Sequence, residues 1–372
     1  MKYYLIVGEA SGDLHASNLM QGIKNSDPDA EFRFFGGDLM ADKGGTLVKH
    51  YRSMSFMGFW EVLVNLKQVA KNLKFCKNDI VQFNPDAVIL VDYPGFNLRI
   101  AKFAKQLGLK VFYYISPKVW AWKASRVKAI KKYVDRLLII FPFEIEYFKQ
   151  RGVDAVYCGN PLVDTLDSTK NPEFRKQNSL GEKPIVAVLA GSRAQEIKHN
   201  LLVMISMASK LTDYQLVIAG APSLDMAIYQ PYISGTDVKI VFEQTQELLK
   251  HSVAAMVTSG TATLEAALFN VPEVVCYRGS LVSVLIAALV VKVKFISLVN
   301  LIMDREVVTE LIQFKLNEEN LYRELANILP GSSGREAMLK SFAELRDKLG
   351  KPGASQRFAD VIVSTLKQLN TQ

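Results

Sequence analysis

Two doubly wound α/β units are the fold class this sequence predicts, and three observations predict them. Short, unbroken apolar runs rich in β-branched residues recur along most of the chain. Amphipathic stretches of helical length separate them, and one polar segment divides the series in two. Continuous apolar runs mark strands covered on both faces, as in parallel sheets, and alternation with helices marks the crossover units that parallel strands need.

In the first series the runs are Tyr3–Val7, Phe32–Phe35, Ala87–Val91, Val111–Ile115 and Leu137–Ile140. In the second they are Ile185–Leu189, Leu216–Ala219, Val238–Phe242, Ala254–Thr258 and Val274–Cys276. Gly, Pro or Asp bounds most of them, as expected of strand ends. The polar stretch 167–184 reads as a linker, giving one domain over 1–166 and a second over 185–349. After Val299 the strand pattern stops and helices take over. Gly350-Lys351-Pro352-Gly353 breaks them, and a last helix over about 354–369 is expected to pack back on the first domain. A chain of 372 residues has room for two such cores.

With 49% apolar and 22% charged residues the composition is globular. The net charge of +8 lies almost wholly in residues 1–165, which carry 23 Lys and Arg against 16 Asp and Glu. Such a half fits nucleic acid or an anionic membrane. No nucleic-acid-binding signature is present and apolar segments accompany the cations, which favours the membrane surface. The amino terminus enters a strand-like run at once, without the pattern of a signal peptide, so a cytoplasmic protein is expected. Cys76, Cys158 and Cys276 have no paired spacing and read as free thiols. The four histidines are scattered, and Asp27-Pro28-Asp29 reads as a turn, so no metal site is expected.

Ligands of open α/β sheets lie beyond the carboxyl ends of strands, and five loops there carry chemistry. Gly8-Glu9-Ala10-Ser11-Gly12-Asp13 opens a helix whose free amides suit an anion; the alternative is a tight turn with Asp13 as a cap. Its spacing matches neither a dinucleotide fingerprint nor a P-loop. Asp92, in Asp92-Tyr93-Pro94-Gly95-Phe96-Asn97, stands where a general base would, or is an ordinary turn aspartate. Ser116, Lys118, Trp120 and Trp122 lead into a run with Lys123, Arg126, Lys128, Lys131 and Lys132 and no acid. That run is a solvated helix face or a site for a phosphorylated amphiphile or anionic headgroups. Gly191, Ser192, Arg193 and Glu196 suit a diphosphate. Ser259, Gly260, Thr261 and Ala262 form a helix start able to cradle phosphate, with Glu265 one turn on in reach of a ribose diol; a capping box is the alternative.

Taken in order, GEASGD at 8–13, MGFWEVL at 57–63, VDYPGFN at 91–97, SPKVWAW at 116–122, GN at 159–160, GSRAQEI at 191–197, SGTATLE at 259–265 and SLVNLIMDREVVTELIQ at 297–313 resemble the lipid-A-disaccharide synthase family from end to end. The resemblance implies a GT-B architecture of two Rossmann-like domains with an interdomain cleft. The first domain would bind the acceptor and the second a UDP-sugar. It implies transfer from UDP-2,3-diacylglucosamine to the 6-hydroxyl of 2,3-diacylglucosamine 1-phosphate, inverting to a β-linkage, with no cofactor and no divalent metal. On this pattern Asp92 is the base on the acceptor hydroxyl. Arg193 and Ser259-Gly260-Thr261 hold the diphosphate, and Glu265 the ribose. Asn300 and Glu306 face the donor; Ser11, Gly12 and Asp13 line the acceptor side. Asn97, Ser116 and Trp120 join the substrate-binding set.

Two departures stand out. Gly95 replaces the second acid that the family commonly carries, and Leu281–Val291 is more apolar than the family's helix there. That stretch fits a core helix, a membrane contact or a homodimer interface, and Met54–Val64 is a second apolar candidate for membrane contact. The expectation is a cytoplasmic enzyme held peripherally at the inner membrane. Its rivals are a UDP-sugar 2-epimerase and a catalytically silent nucleotide-sugar-binding protein. An NAD-dependent oxidoreductase lacks its glycine fingerprint.

Overall fold

The computed structural model describes residues 1–54, 66–121, 124–279 and 293–370. The chain divides into two compact units, Met1–Thr165 with Leu349–Gln372, and Leu166–Lys348.

The first unit is built on seven parallel strands: β1 (Lys2–Ile6), β2 (Glu31–Gly36), β3 (Thr46–His50), β4 (Ala87–Val91), β5 (Lys110–Tyr114), β6 (Arg136–Ile139) and β7 (Ala155–Tyr157). Their order is β3-β2-β1-β4-β5-β6-β7. All five residues of β4 are buried, because helices cover both faces of a parallel sheet. On one face Tyr4, Ile6, Val88, Leu90, Val111 and Tyr113 pack against Ile80, Ile100, Ala104 and Ile130 from the helices. The helix Leu66–Phe83 is also tied by Asp79, which accepts from the Tyr4 hydroxyl at 2.7 Å and from two Arg33 nitrogens at 2.8 and 2.6 Å. A buried carboxylate survives in a core only when its lone pairs are taken up in this way.

The last helix, Ala354–Asn370, packs on the helix Ala10–Ser26 of the same unit. Its first amides are satisfied from elsewhere in the chain: Gly353, Ala354 and Ser355 N–H donate to the Asp164 carboxylate at 2.7, 3.0 and 2.7 Å.

The second unit carries six parallel strands: β8 (Ile185–Leu189), β9 (Gln215–Gly220), β10 (Lys239–Phe242), β11 (Ser252–Thr258), β12 (Glu273–Tyr277) and β13 (Glu310–Ile312), in the order β10-β9-β8-β11-β12-β13. In both sheets the strand order reverses beside the first strand, between β1 and β4 and between β8 and β11.

Several sequence expectations change. β3, β7 and β13 were not expected, and β13 shows that strands continue past Val299. Each is an edge strand, paired on one side only, and none carries a fully buried run. The stretch read as a linker is packed instead: Phe174 and Leu180 sit in the second core, and Asn171 N–H donates to Glu247 Oε2 at 3.0 Å. Met54, the start of a candidate stretch for membrane contact, is buried in the first core. The rest of Met54–Val64, together with Trp122, Lys123 and Leu281–Val291, lies outside the described residues.

Candidate active site

At a point of strand-order reversal the neighbouring loops diverge and leave a crevice at the carboxyl ends, where ligands bind in this class of sheet. The first such point joins the loops after β1 and β4. The chain leaves β4 through two successive left-handed residues, Asp92 (φ 41°) and Tyr93 (φ 47°), before the helix Pro94–Gln106 begins. For residues with a side chain that conformation costs on the order of 1–2 kcal/mol each. The turn is held from behind. The Asp92 carbonyl accepts from the Tyr113 hydroxyl at 2.6 Å and from Asn97 Nδ2 at 2.8 Å, and Asn97 Nδ2 also reaches the Val91 carbonyl at 3.1 Å. Gly8 is required by the same turn: a Cβ there would lie 2.4 Å from the Tyr93 ring.

The Asp92 side chain is half-buried at this point. Its carboxyl is pushed up to about 6, first by burial and then by the negative charge of Glu9; Lys118, the Tyr93 amide and Arg126 oppose the shift. Glu9 comes from the loop after β1 and accepts from the Ser11 hydroxyl at 2.8 Å. It was not among the expected site residues. Its signal was a carboxylate directly after a buried strand, masked by the glycines around it.

Other expected site residues of this unit spend their polar atoms inside the protein. Asp13 is buried beside Gly12, and its carboxylate receives Gly37, Leu39 and Met40 N–H at 2.7, 3.1 and 3.4 Å, which starts the short helix Asp38–Asp42. Asn97 is fully buried behind the Asp92 turn. The Ser116 hydroxyl and Trp120 Nε1 both donate to Glu144 Oε1, the indole at 3.2 Å, while Phe141 N–H fills Glu144 Oε2 at 3.1 Å. Burial pushes the Glu144 carboxyl up to about 7. These contacts fasten the loop that presents exposed Lys118, a loop entered through left-handed Ile115 (φ 61°). Glu144 was also missed, since nothing local distinguishes it from a surface helix acid.

At the second reversal point, the loop after β8 folds onto its own helix: Ser192 N–H donates to Glu196 Oε2 at 2.9 Å. Gly191 (φ 121°) permits this, because a Cβ would lie 2.5 Å from Glu196 Cβ. Arg193 projects into solvent with its side chain 64% exposed, 3.9 Å from Glu196. After β11, Gly260 leads into the helix Thr261–Leu268, the Ser259 hydroxyl donates to the Ile296 carbonyl at 2.7 Å, and Thr261 is exposed at the helix start. Ala262 is half-buried one residue on. Glu265 is pushed up to about 7 by burial alone, and its carboxyl makes no hydrogen bond or ion pair among the described residues. An anion beside Arg193 and the helix start, with a diol against Glu265, suits these groups.

Asn300 is fully buried. Its side chain donates to the Val308 carbonyl at 2.8 Å and to Glu310 at 2.9 Å, and accepts from Val307 and Val308 N–H at 2.7 and 3.0 Å. It therefore shapes the loop that carries exposed Glu306. Among the described residues no three His, Cys, Asp or Glu side chains cluster as a metal would require.

The chain matches the family described as Lipid-A-disaccharide synthetase over residues 3–357. The chain belongs to that family. It is a glycosyltransferase of lipid A biosynthesis. Among its relatives, the lipid-A-disaccharide synthase of Myxococcus xanthus is 39% identical over 370 residues, with 97% of each chain covered. That of Syntrophus aciditrophicus is 36% identical, covering 98% of this chain and 97% of the other. Solved structures share the fold at low identity. The UDP-GlcNAc 2-epimerase of Neisseria meningitidis superposes with a TM-score of 0.68 at 12% identity, covering 98% of this chain and 100% of that one. The glycosyltransferase SnogD of Streptomyces nogalater gives 0.60 at 17%, covering 98% and 99%. Both likenesses are of fold, two Rossmann-like domains of the GT-B class. Among the described residues no helix is long and apolar enough to cross a membrane.

Proposed function

We propose that this glycosyltransferase moves 2,3-diacylglucosamine from UDP to the 6-hydroxyl of 2,3-diacylglucosamine 1-phosphate, with inversion, giving a β-1,6-linked disaccharide 1-phosphate and UDP. The observation that carries the reading is Asp92: a half-buried carboxylate at a strand-order reversal, held in a left-handed turn and raised to about 6. At pH 7 such a group is about nine-tenths ionised and still basic enough to take a proton. As the acceptor oxygen attacks C1 of the donor sugar, its proton passes to Asp92. The C1–O bond breaks on the opposite face and its electron pair leaves with the diphosphate. Arg193 and the amides at Thr261 meet that growing charge, each such donor being worth about 10²–10³-fold in rate. Glu265 takes the ribose diol.

The first unit then serves the acceptor and the second the nucleotide. Both substrates carry acyl chains, so the enzyme works at the cytoplasmic face of the inner membrane without crossing it. Lys128, Lys131 and Lys132, exposed on the helix Arg126–Tyr133, support binding to anionic headgroups. Sedimentation with anionic vesicles at low salt, reversed by high salt, is the expected result; free protein at low salt would end the membrane reading. The chemistry is tested by incubating the enzyme with both substrates and weighing the lipid product by mass spectrometry. Asp92→Asn should lower kcat at least about 10²-fold with UDP binding intact. Near-normal turnover in that variant would remove Asp92 from the mechanism.

A further inference from the structure

We infer that Tyr113 and Asn97 are positioning residues for this reaction: buried behind the active site, they hold the turn that aims Asp92, and neither touches substrate. The inference rests on the reading of Asp92 as the base. Both side chains are fully buried. Tyr113 stands on β5 opposite Leu90 of β4, one strand away from the turn it holds. Two side-chain donors converge on one carbonyl: the Tyr113 hydroxyl at 2.6 Å and Asn97 Nδ2 at 2.8 Å fill both lone pairs of the Asp92 C=O. Asn97 Nδ2 also reaches the Val91 carbonyl at 3.1 Å and the Ile6 carbonyl at 3.4 Å, so one amide ties the ends of β1 and β4 to the turn.

The conformation these bonds hold is one that Asp92 and Tyr93 would leave if released. Two adjacent left-handed residues with side chains are strained, and strain of this kind persists only where surrounding contacts over-determine it. The neighbouring Tyr93 N–H is part of the same turn and faces the Asp92 carboxylate. Burial keeps the Tyr113 phenol protonated, so it remains a donor across the working pH range. The charged groups facing Asp92 are Glu9 from the loop after β1, Lys118 from the loop after β5 and Arg126 from the following helix. Backbone bonds also hold the turn, Asp92 N–H donating to the Tyr114 carbonyl at 3.2 Å and Asn97 N–H to the Tyr93 carbonyl at 3.0 Å, and the side chains that reach the Asp92 carbonyl are Tyr113 and Asn97.

The test compares wild type, Tyr113→Phe and Asp92→Asn. Tyr113→Phe deletes one oxygen and leaves the ring in the core. Three quantities are read: kcat and acceptor KM, UDP binding, and the titration midpoint of Asp92 itself by carboxyl ¹³C NMR of aspartate-labelled enzyme. The expected result is a loss in kcat of up to about 10²-fold, the scale of a misplacement near 1 Å. UDP binding should stay within about twofold, and the Asp92 midpoint should fall from about 6 toward the ordinary 3.8 as the carboxyl gains water. A merely structural tyrosine would lower thermal stability and leave midpoint and kcat in place. An unmoved midpoint overturns the inference, with or without a change in kcat, and so does a moved midpoint with normal kcat. If Asp92→Asn turns over normally, the base reading falls and the roles of Tyr113 and Asn97 fall with it. Should Tyr113→Phe fail to fold, by circular dichroism and UDP binding, Asn97→Ser carries the same test with the same outcomes.

Discussion

Glu273 opens β12 with no solvent exposure, and neither carboxyl oxygen has a hydrogen-bond partner among the described residues. Its backbone N–H faces the sulfur of Met338 at 3.4 Å, and Ala255 lies opposite on β11. Burial alone pushes its carboxyl well above the usual range, because an anion there would lose water and gain nothing. The sign of the consequence follows from the raised value. Below about pH 4.3 both folded and unfolded chains hold the proton, and the fold has its full stability. As pH rises the unfolded chain releases it and the folded one does not, so stability falls by about 1.4 kcal/mol per pH unit until the folded group titrates. Glu273→Gln keeps the shape and removes the proton equilibrium. Its stability relative to wild type should therefore rise between pH 5.5 and pH 7.5, by at most about 2.7 kcal/mol, the full slope over two units. Urea denaturation of both proteins at the two pH values measures this, since titration of every other group cancels in the difference. Equal differences at both pH values would mean that Glu273 is ionised in the fold, and the reasoning from burial would fail.

Four further outcomes bear on the site. With Asp92 near 6, kcat/KM at pH 5 should be about one-tenth of its plateau, whereas an ordinary aspartate at 3.8 would leave it nearly full. Glu9→Gln removes the negative neighbour, so the acid limb should move to lower pH; an unmoved limb would separate Glu9 from Asp92. Arg193→Ala should weaken UDP binding and slow transfer together by about 10²-fold, read by calorimetry and turnover. EDTA should leave transfer unchanged; loss restored by Mg²⁺ would show a metal in the reaction.

The central strands were legible because their signal is local. Ala87–Val91 and Ile185–Leu189 are covered on both faces, so every position is apolar and the run announces itself. The loops that follow them were legible for the same reason: an apolar run that gives way to Asp92, or to Gly191 through Arg193, marks where the carboxyl end of its strand lies. The edge strands Thr46–His50, Ala155–Tyr157 and Glu310–Ile312 had no such run, being paired on one side and partly open to water. Phe174 and Leu180 looked isolated in a polar stretch, and only the second core explains them.

What the sequence by itself determined was which backbone segments are buried, because apolar periodicity accumulates residue by residue along the chain. What only the tertiary structure decided was how each polar group is spent. Asp13 and Ser116 sit in promising loops, yet their partners Gly37 and Glu144 lie on other stretches of the chain, while Asn97 and Asn300 turn inward onto the Asp92 and Val308 carbonyls. Asp92, by contrast, keeps a partly buried side chain whose proton affinity depends on burial and on Glu9 from the loop after another strand. Glu273 directly precedes the apolar run Val274–Cys276, and only the fold closes over it. Desolvation and lone-pair satisfaction are sums over neighbours in space, and those neighbours come together only when the chain has folded.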